Sequence, residues 1–529
     1  MKILSKNIRE CNIFILLLVA VLIIGGSAYT SYAIFTTEVE GESSIEIGVG
    51  CNTFDVDLIS TSLGEDSSNA NEPLLLDNMI PVVYDGCSNW LKADTSKNWY
   101  NYDKKTWANA VTVSEESRET YLNADPGTVI EMADINTMWV WIPRYKYTIF
   151  NANMSGAEVT NEQEIKIEFE IGTTSTGTVS CVDSINNEDG TSEVCTDSTY
   201  GEVTNGSSTY THPAFTFGDD ELTGFWFAKF ENSIDSSNNI IIKPDALSWN
   251  NHTVSTAFEY SRSMELVNNI YGFSSTATAY NATGELTNDT NNFDTHNIKN
   301  MEWGAVAYLT QSKYGRCTDG TCSEIYINNS GRKDENNAEL WYDTYTGRSA
   351  GSVGSTSTPS ITYGTYSYDD YIINNDNVKG NRARNLGVGA STTGNIYGIY
   401  DMSGGLKERV MGNTTDANGR FHAGRSGTWS TDLYPSLKYY DSYTYGTTYD
   451  DATAYKRGKL GDATKEILRA VSTSGGWYSD LSWFPHHGDS WLRRGGYFDG
   501  TIRTGVFAFD RHHGGNRFDC GSRVALVIY

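Results

Sequence analysis

From Met138 to Pro143 the chain reads Met-Trp-Val-Trp-Ile-Pro without a polar residue, and it then alternates at Tyr145, Tyr147 and Ile149. Spacing of two places those three side chains on one face of a half-buried strand. Ile165–Ile171 alternates Lys and Glu with Ile and Phe, a second such strand, and Met79–Tyr84 is a third. Between such runs the chain is rich in Ser, Thr, Asn and Tyr, with 50 Gly against 9 Pro, which implies short strands joined by many turns. Two segments instead show helical spacing, Ala257–Ile270 and Met301–Lys313. The expected class is therefore α+β, with loop-like excursions at residues 172–210 and 345–378.

Charge narrows the function. The 529 residues carry 39 basic and 66 acidic side chains, a net charge of −27, so no basic footprint exists to grip phosphates and nucleic acid is excluded as a partner. Lys2, Lys6 and Arg9 precede an apolar run from Ile13 to Ile24, and no charge occurs between Ile13 and Phe35. Residues 1–35 are expected to be a signal peptide or a membrane anchor, and the rest extracellular, at the cell surface or secreted. If uncleaved, residues 13–35 would hold the protein in the membrane. Residues 36–136 read as an accessory or stalk region, and 137–529 as one long domain.

An extracellular address permits disulfides. Cys51 with Cys87, Cys181 with Cys195 and Cys317 with Cys322 are the plausible pairs, leaving Cys520 alone beyond the leader's Cys11. None of the Cys spacings suits structural zinc. The adjacent pairs His486-His487 and His512-His513 would point to opposite faces of a strand, which disfavours a shared metal. No cofactor is expected; calcium could stabilise the Asp- and Asn-rich loops, but no loop offers an assignable ligand set.

The stretch Asn395-Ile396-Tyr397-Gly398-Ile399-Tyr400-Asp401-Met402-Ser403-Gly404-Gly405 resembles the signature of the formylglycine-generating enzyme (sulfatase-modifying factor) family. His212–Phe215, Gly224–Glu231, Glu302–Tyr308, Arg494-Gly495-Gly496 and Ser522-Arg523-Val524 resemble further family elements in the same order. The resemblance implies a C-type-lectin-like fold over roughly residues 138–529. Asp401 and Ser403 are expected to hydrogen-bond backbone in a tight turn, with Gly404 and Gly405 at positive φ. The family's Val-Trp-Glu-Trp is here Leu406-Lys407-Glu408-Arg409, so both Trp positions are lost. The family's oxidases depend on a C-terminal Cys pair, and here Cys520 stands alone. Enzymatic activity is therefore not expected, and Asp401 with Glu408 reads as frame rather than as an acid and base.

Residues 497–522 contain no Lys, Glu, Gln, Met or Trp, and every residue there can be encoded by a codon ending in a pyrimidine. Randomised adenines in Asn codons leave that alphabet. The pattern resembles the variable region of target proteins of diversity-generating retroelements, which lies at the C-terminal end of such a domain. The variable ligand-binding region is expected at about 481–523. Tyr497, Phe498, Asp499, Arg503, Asp510, Arg511, His512, His513, Asn516, Arg517, Phe518 and Asp519 are expected to touch ligand, with His486, His487 and Arg493 as further candidates. Aromatic anchors with adaptable polar neighbours are the mixture found in paratopes. Six Arg against four Asp between His486 and Arg523 make this region locally positive, so an acidic or polar surface on a foreign protein or glycan would be attracted. Two other readings compete: an extracellular copper oxidase using Cys520, and a carbohydrate-binding or adhesion module favoured by 34 Tyr and 13 Trp.

Overall fold

The computed structural model describes residues 56–86, 88–151, 160–179, 204–287, 291–331, 343–356, 360–363, 387–424, 429, 434–447 and 455–529. The chain divides into two units, Met1–Phe54 and Asp55–Tyr529, and every described residue belongs to the second. The expected leader and the pairs Cys51–Cys87 and Cys181–Cys195 involve residues outside the described ones. Cys317 and Cys322 are joined in a disulfide across a tight two-stranded turn.

Among the described residues the architecture is α+β and mostly sheet. Four α-helices occur: α1 (Val56–Leu63), α2 (Glu115–Asn123), α3 (Val254–Ser263) and α4 (Asn300–Thr310). None of them is long and apolar enough to cross a membrane. The strands of the two large sheets are, in chain order, β1 (Ile80–Tyr84), β2 (Trp90–Lys92), β3 (Asn109–Val113), β4 (Val129–Ile130), β5 (Ile135–Pro143), β6 (Gly224–Ala228) and β7 (Phe293–Asn297). They continue with β8 (Lys407–Thr414), β9 (Asp441–Tyr443), β10 (Trp491–Arg494), β11 (Phe509–His512), β12 (Cys520–Ser522) and β13 (Val524–Ile528).

The first sheet is antiparallel, in the order β7-β13-β6-β5-β3-β1-β2-β4. Its central strand β5 contains the unbroken apolar run Met138–Pro143, and that run is buried on both faces, as a stretch without polar alternation should be. The accessory region expected at 36–136 is, from residue 80 onward, part of this same sheet. Strands β1–β4 continue it beyond β5, and the indoles of Trp90 and Trp107 lie in the common core. A Trp-rich stretch gains more from joining a large core than from standing apart.

The second sheet has the order β9-β8-β10-β11, with β12 also on β8. Strand β8 runs antiparallel to β10 along one edge. On its other edge it runs parallel to β12 at residues 407–409 and to β9 at 412–414. The C-terminal strands thus serve both sheets: β10, β11 and β12 build the second, and β13 is buried in the first.

Both helical segments are real, with shifted ends. Helix α3 starts at the Thr253 cap, whose hydroxyl accepts the Thr256 N–H at 3.1 Å, and it stops before the expected Ile270. There Glu265 turns inward to accept the Thr295 N–H of β7, and Asn268 takes positive φ. Helix α4 begins where Glu302 accepts the Lys299 N–H at 2.8 Å, and every residue of it is buried.

Beside α4, the Glu466 carboxylate takes the Gly461 N–H at 2.6 Å and the hydroxyls of Tyr308 and Tyr147 at 2.7 and 3.0 Å. Burial pushes this carboxyl up to about 7, against the lowering effect of those three donors. An acid raised in the folded state contributes stability that is complete below its unfolded value and is lost as pH rises through the folded one. Glu466→Gln keeps the acceptor for Gly461 and Tyr308 and carries no charge to bury. We predict that urea melts at pH 8 show the variant more stable than the parent by about 3 kcal/mol, with the two converging near pH 4.5. A variant weaker than its parent at pH 8 would contradict this.

Candidate ligand-binding surface

The pairing of β8, β10, β11 and β12 sets one line of charged side chains across the second sheet. Arg493 lies opposite Arg409 on β8 and opposite Asp510 on β11, and Lys407 lies opposite Cys520. Directly paired residues share a face, so this face gathers Lys407, Arg409, Arg493, Asp510 and Cys520. The Arg493 guanidinium grips Asp510 through Nε at 2.6 Å and Nη2 at 2.8 Å, and its Nη1 donates to Cys520 Sγ at 3.2 Å. Lys407 Nζ reaches the same Asp510 at 2.8 Å. Burial alone would raise Asp510, but Arg493 and Lys407 hold its carboxyl below the usual range. Lys407 and Arg409, two apart on β8, thus put two cations on one face. Arg409 turns into the protein, where it donates to the carbonyls of His252 and Gly515.

Above this line the chain leaves β10 through Gly495 and Gly496, both at positive φ, turns at Thr501–Arg503 and returns as β11. At Gly496 a Cβ would come within 2.6 Å of the Thr504 hydroxyl, so glycine is needed for the turn to close. The turn and the sheet enclose an open cavity of about 580 Å³. Lys407, Arg493 and Asp510 line its inner part, together with Tyr497, Trp483, Asp499, Ile502 and Arg503. The Lys407 ammonium lies 5.1 Å from the Tyr497 ring centre, and the Arg511 guanidinium lies 5.2 Å from that of Trp483.

The expected contact residues divide in two. Arg503, Asn516, Arg517 and Phe518 are exposed, and Tyr497, Asp499, Arg511, His513 and His487 are half-buried; of these, Arg503, Tyr497 and Asp499 line the cavity. Phe498, Asp510, His512, Asp519, His486 and Arg493 are buried; Asp510 and Arg493 still line the cavity, whereas burial of Phe498, His512, Asp519 and His486 away from it corrects their expected role. Phe498 lies over Gly331, where a Cβ would collide with its ring, and its N–H donates to Gly405 O. Asp510 and Arg493 form the ion pair just described. Asp519 clamps Arg517 at 2.7 Å; burial would raise its carboxyl, but Arg493 and Arg517 hold it at about 2. His512 and His486 each use Nδ1 to accept a backbone N–H two residues on, from Gly514 and Gly488. Burial, then Arg493, holds His512 at about 2, and burial, then Arg511, holds His486 at about 4, so both rings are neutral near pH 7.

The signature turn anchors this frame to the first sheet. Asp401 has φ of 63°, and its carboxylate accepts the Asn328 side-chain amide at 2.8 Å and the Gly347 N–H at 2.9 Å. Gly404 and Gly405 have positive φ as expected, and a Cβ on Gly405 would stand 2.5 Å from Glu231 Oε1. Ser403 contributes through its carbonyl, which accepts the Asn328 N–H, rather than through its hydroxyl. Glu408, on the opposite face of β8 from Lys407, ion-pairs with the buried Arg523. Asp401 and Glu408 are thus both tied into the frame, by Asn328 and Gly347 and by Arg523.

Cys520 is buried and free. Among the described residues no group of three or more His, Cys, Asp and Glu is arranged to hold a metal ion. The aromatic count likewise belongs largely to the core: Trp90, Trp107, Trp139, Trp141, Trp226, Trp303, Trp477 and Trp491 are fully buried, while Trp483 is 38% exposed at the cavity.

No family model matches the chain, and no curated protein matches it. The sequence reading missed Lys407, Trp483 and Ile502 as parts of this surface. For Lys407 the signal was the departure of Leu406-Lys407-Glu408-Arg409 from the Val-Trp-Glu-Trp of the resembled family; Ile502, at 60% exposure, lies inside the stretch of restricted residue alphabet.

Proposed function

We propose that this chain is an exported or surface-anchored ligand-binding protein, non-enzymatic, that displays a diversified site at the C-terminal end of a C-type-lectin-like scaffold of the formylglycine-generating-enzyme type. The observation that carries the reading is convergence: Tyr497, Asp499, Ile502 and Arg503, all from the stretch with the restricted residue alphabet, line one open cavity whose inner part is a rigid, ion-paired sheet. A rigid frame with variable outward side chains lowers the ordering cost of binding, and Tyr and Arg are the residues that dominate binding hot spots. The oxidase reading has less support, since Cys520 lies against Arg493 and Asp519 and is the free cysteine among the described residues.

Sequencing this locus across a natural population tests the reading. Replacements are expected to crowd into residues 497–519, chiefly at the exposed and half-buried positions, with a reverse transcriptase gene and a near-copy of this coding segment nearby. Replacements spread evenly along the chain would refute diversification.

A further inference from the structure

We infer that the cavity beside β10 and β11 captures a carboxylate from an acidic side chain of a protein ligand, with Lys407 as a fixed anchor and Arg503 as its partner at the rim. The inference rests on the binding reading above and names the chemistry of that site. Lys407 is the more informative residue, because it lies on β8, far outside the variable stretch, and would serve every version of the site.

The hydrogen-bonding capacity at the cavity is not used up. Both oxygens of Asp510 are engaged by Arg493, and Lys407 shares one of them. The cavity lining carries Lys407, Arg493 and Arg503 against Asp499 and Asp510, a net positive charge, and the nearby Asp519 is paired with Arg517. An ammonium has three donors, and among the described residues Lys407 Nζ has Asp510 as its single hydrogen-bond acceptor. The Arg503 guanidinium is exposed and has no side-chain partner among the described residues. Both line the same cavity. On a chain of net charge −27, most of the surface repels an acidic ligand, so a local positive site also orients its approach.

The rim favours a protein over an acidic polysaccharide. Ile502 and Trp483 are exposed there, and Gly354, next to the exposed Val353, comes so close to Ile502 that a Cβ on it would lie 3.3 Å from Ile502 Cγ2. An apolar rim with Ile502 and Trp483 exposed matches the apolar centre of a protein interface. Sugar hydroxyls brought against it would lose water without gaining partners.

The test uses the full-length protein and three immobilised synthetic peptides of alternating Leu-Glu, Leu-Gln and Leu-Lys, with polygalacturonate as the glycan arm. It is run at about 0.15 M salt, where the Debye length of about 8 Å suppresses long-range repulsion. The Leu-Glu peptide is expected to be retained, and Lys407→Gln and Arg503→Ala each to weaken its retention about tenfold or more, whereas the distant Lys146→Gln changes nothing. Thermal melts of both variants establish that they fold. Equal retention of Leu-Gln, preference for Leu-Lys, or indifference to both substitutions overturns carboxylate capture while leaving a binding surface. Retention of polygalacturonate alone overturns the protein source. Retention of none of the four removes the carboxylate site, and the binding reading is then judged separately by the natural distribution of replacements.

Discussion

Arg523→Leu is expected to lower stability by about 3–5 kcal/mol at pH 8, and by distinctly less at pH 5. Arg523 is fully buried between the two sheets, where Nε and Nη2 pair with Glu408 at 2.8 and 2.5 Å. Its Nη1 donates to Ala228 O at 2.8 Å and its Nη2 to Tyr400 O at 2.9 Å, so one side chain ties β6, the signature turn and β8 to the start of β13. Leucine would leave Glu408, Asp401 and Glu231 buried without a guanidinium. Burial already raises all three carboxyls; Asp401 and Glu408 add to the rise at Glu231, whereas Arg523 opposes it at Asp401 and Glu408. Removing Arg523 therefore moves the folded values higher still. For acids raised on folding, the contribution to stability is complete below the unfolded value and is lost as pH rises through the folded value. At pH 5 the stranded carboxyls can take up protons, and at pH 8 unfolding is the easier way to ionise them. Urea melts at both pH values decide the matter; a loss under about 1 kcal/mol, or the same loss at both, would contradict the account.

Where the sequence could be read correctly, the deciding interactions are local. The turn at Asp401–Gly405 was legible because positive φ and carboxylate-to-backbone bonding follow from residue type. The apolar run Met138–Pro143 of β5 was legible because a strand buried on both faces needs no alternation. Local patterning could not assign residues 80–130 to the first sheet, since β3 joins β5 through cross-strand backbone pairing and the Thr112–Thr137 side-chain hydrogen bond, neither of which shows in the pattern of either strand alone. The same holds for the buried half of the candidate site. Phe509-Asp510-Arg511-His512 looks like a polar, exposed strand, yet Asp510 is buried because Lys407, 103 residues away, and Arg493, 17 away, both reach it. Burial of a charge depends on its partners, and these partners come from other strands. The fold class was thus readable from local patterning, and the division of residues 497–519 into buried and exposed side chains was not.

That division leads to the second large expected effect. Phe498 and Phe518 have the same chemistry and lie in the same restricted stretch, so their sequence context gives no reason to treat them differently. In the structure Phe498 is 3% exposed and rests on Gly331, with its ring centre 5.8 Å from that of Tyr497 in an edge-on contact. Phe518 is 37% exposed in the loop between β11 and β12. Phe498→Ala removes a ring from a packed site whose backbone is pinned to Gly405, so the space cannot close fully, and the expected cost is about 3–5 kcal/mol. Phe518→Ala is expected to change stability by less than about 1 kcal/mol, as surface substitutions do. On the Leu-Glu peptide the order reverses at a temperature where both variants are folded, because an exposed aromatic can make contacts that a buried one cannot. Urea melts of the two variants, run side by side, measure the contrast directly. Equal losses would mean that the stretch is uniformly packed or uniformly exposed, and in either case the site would lose the rigid frame on which its binding role depends.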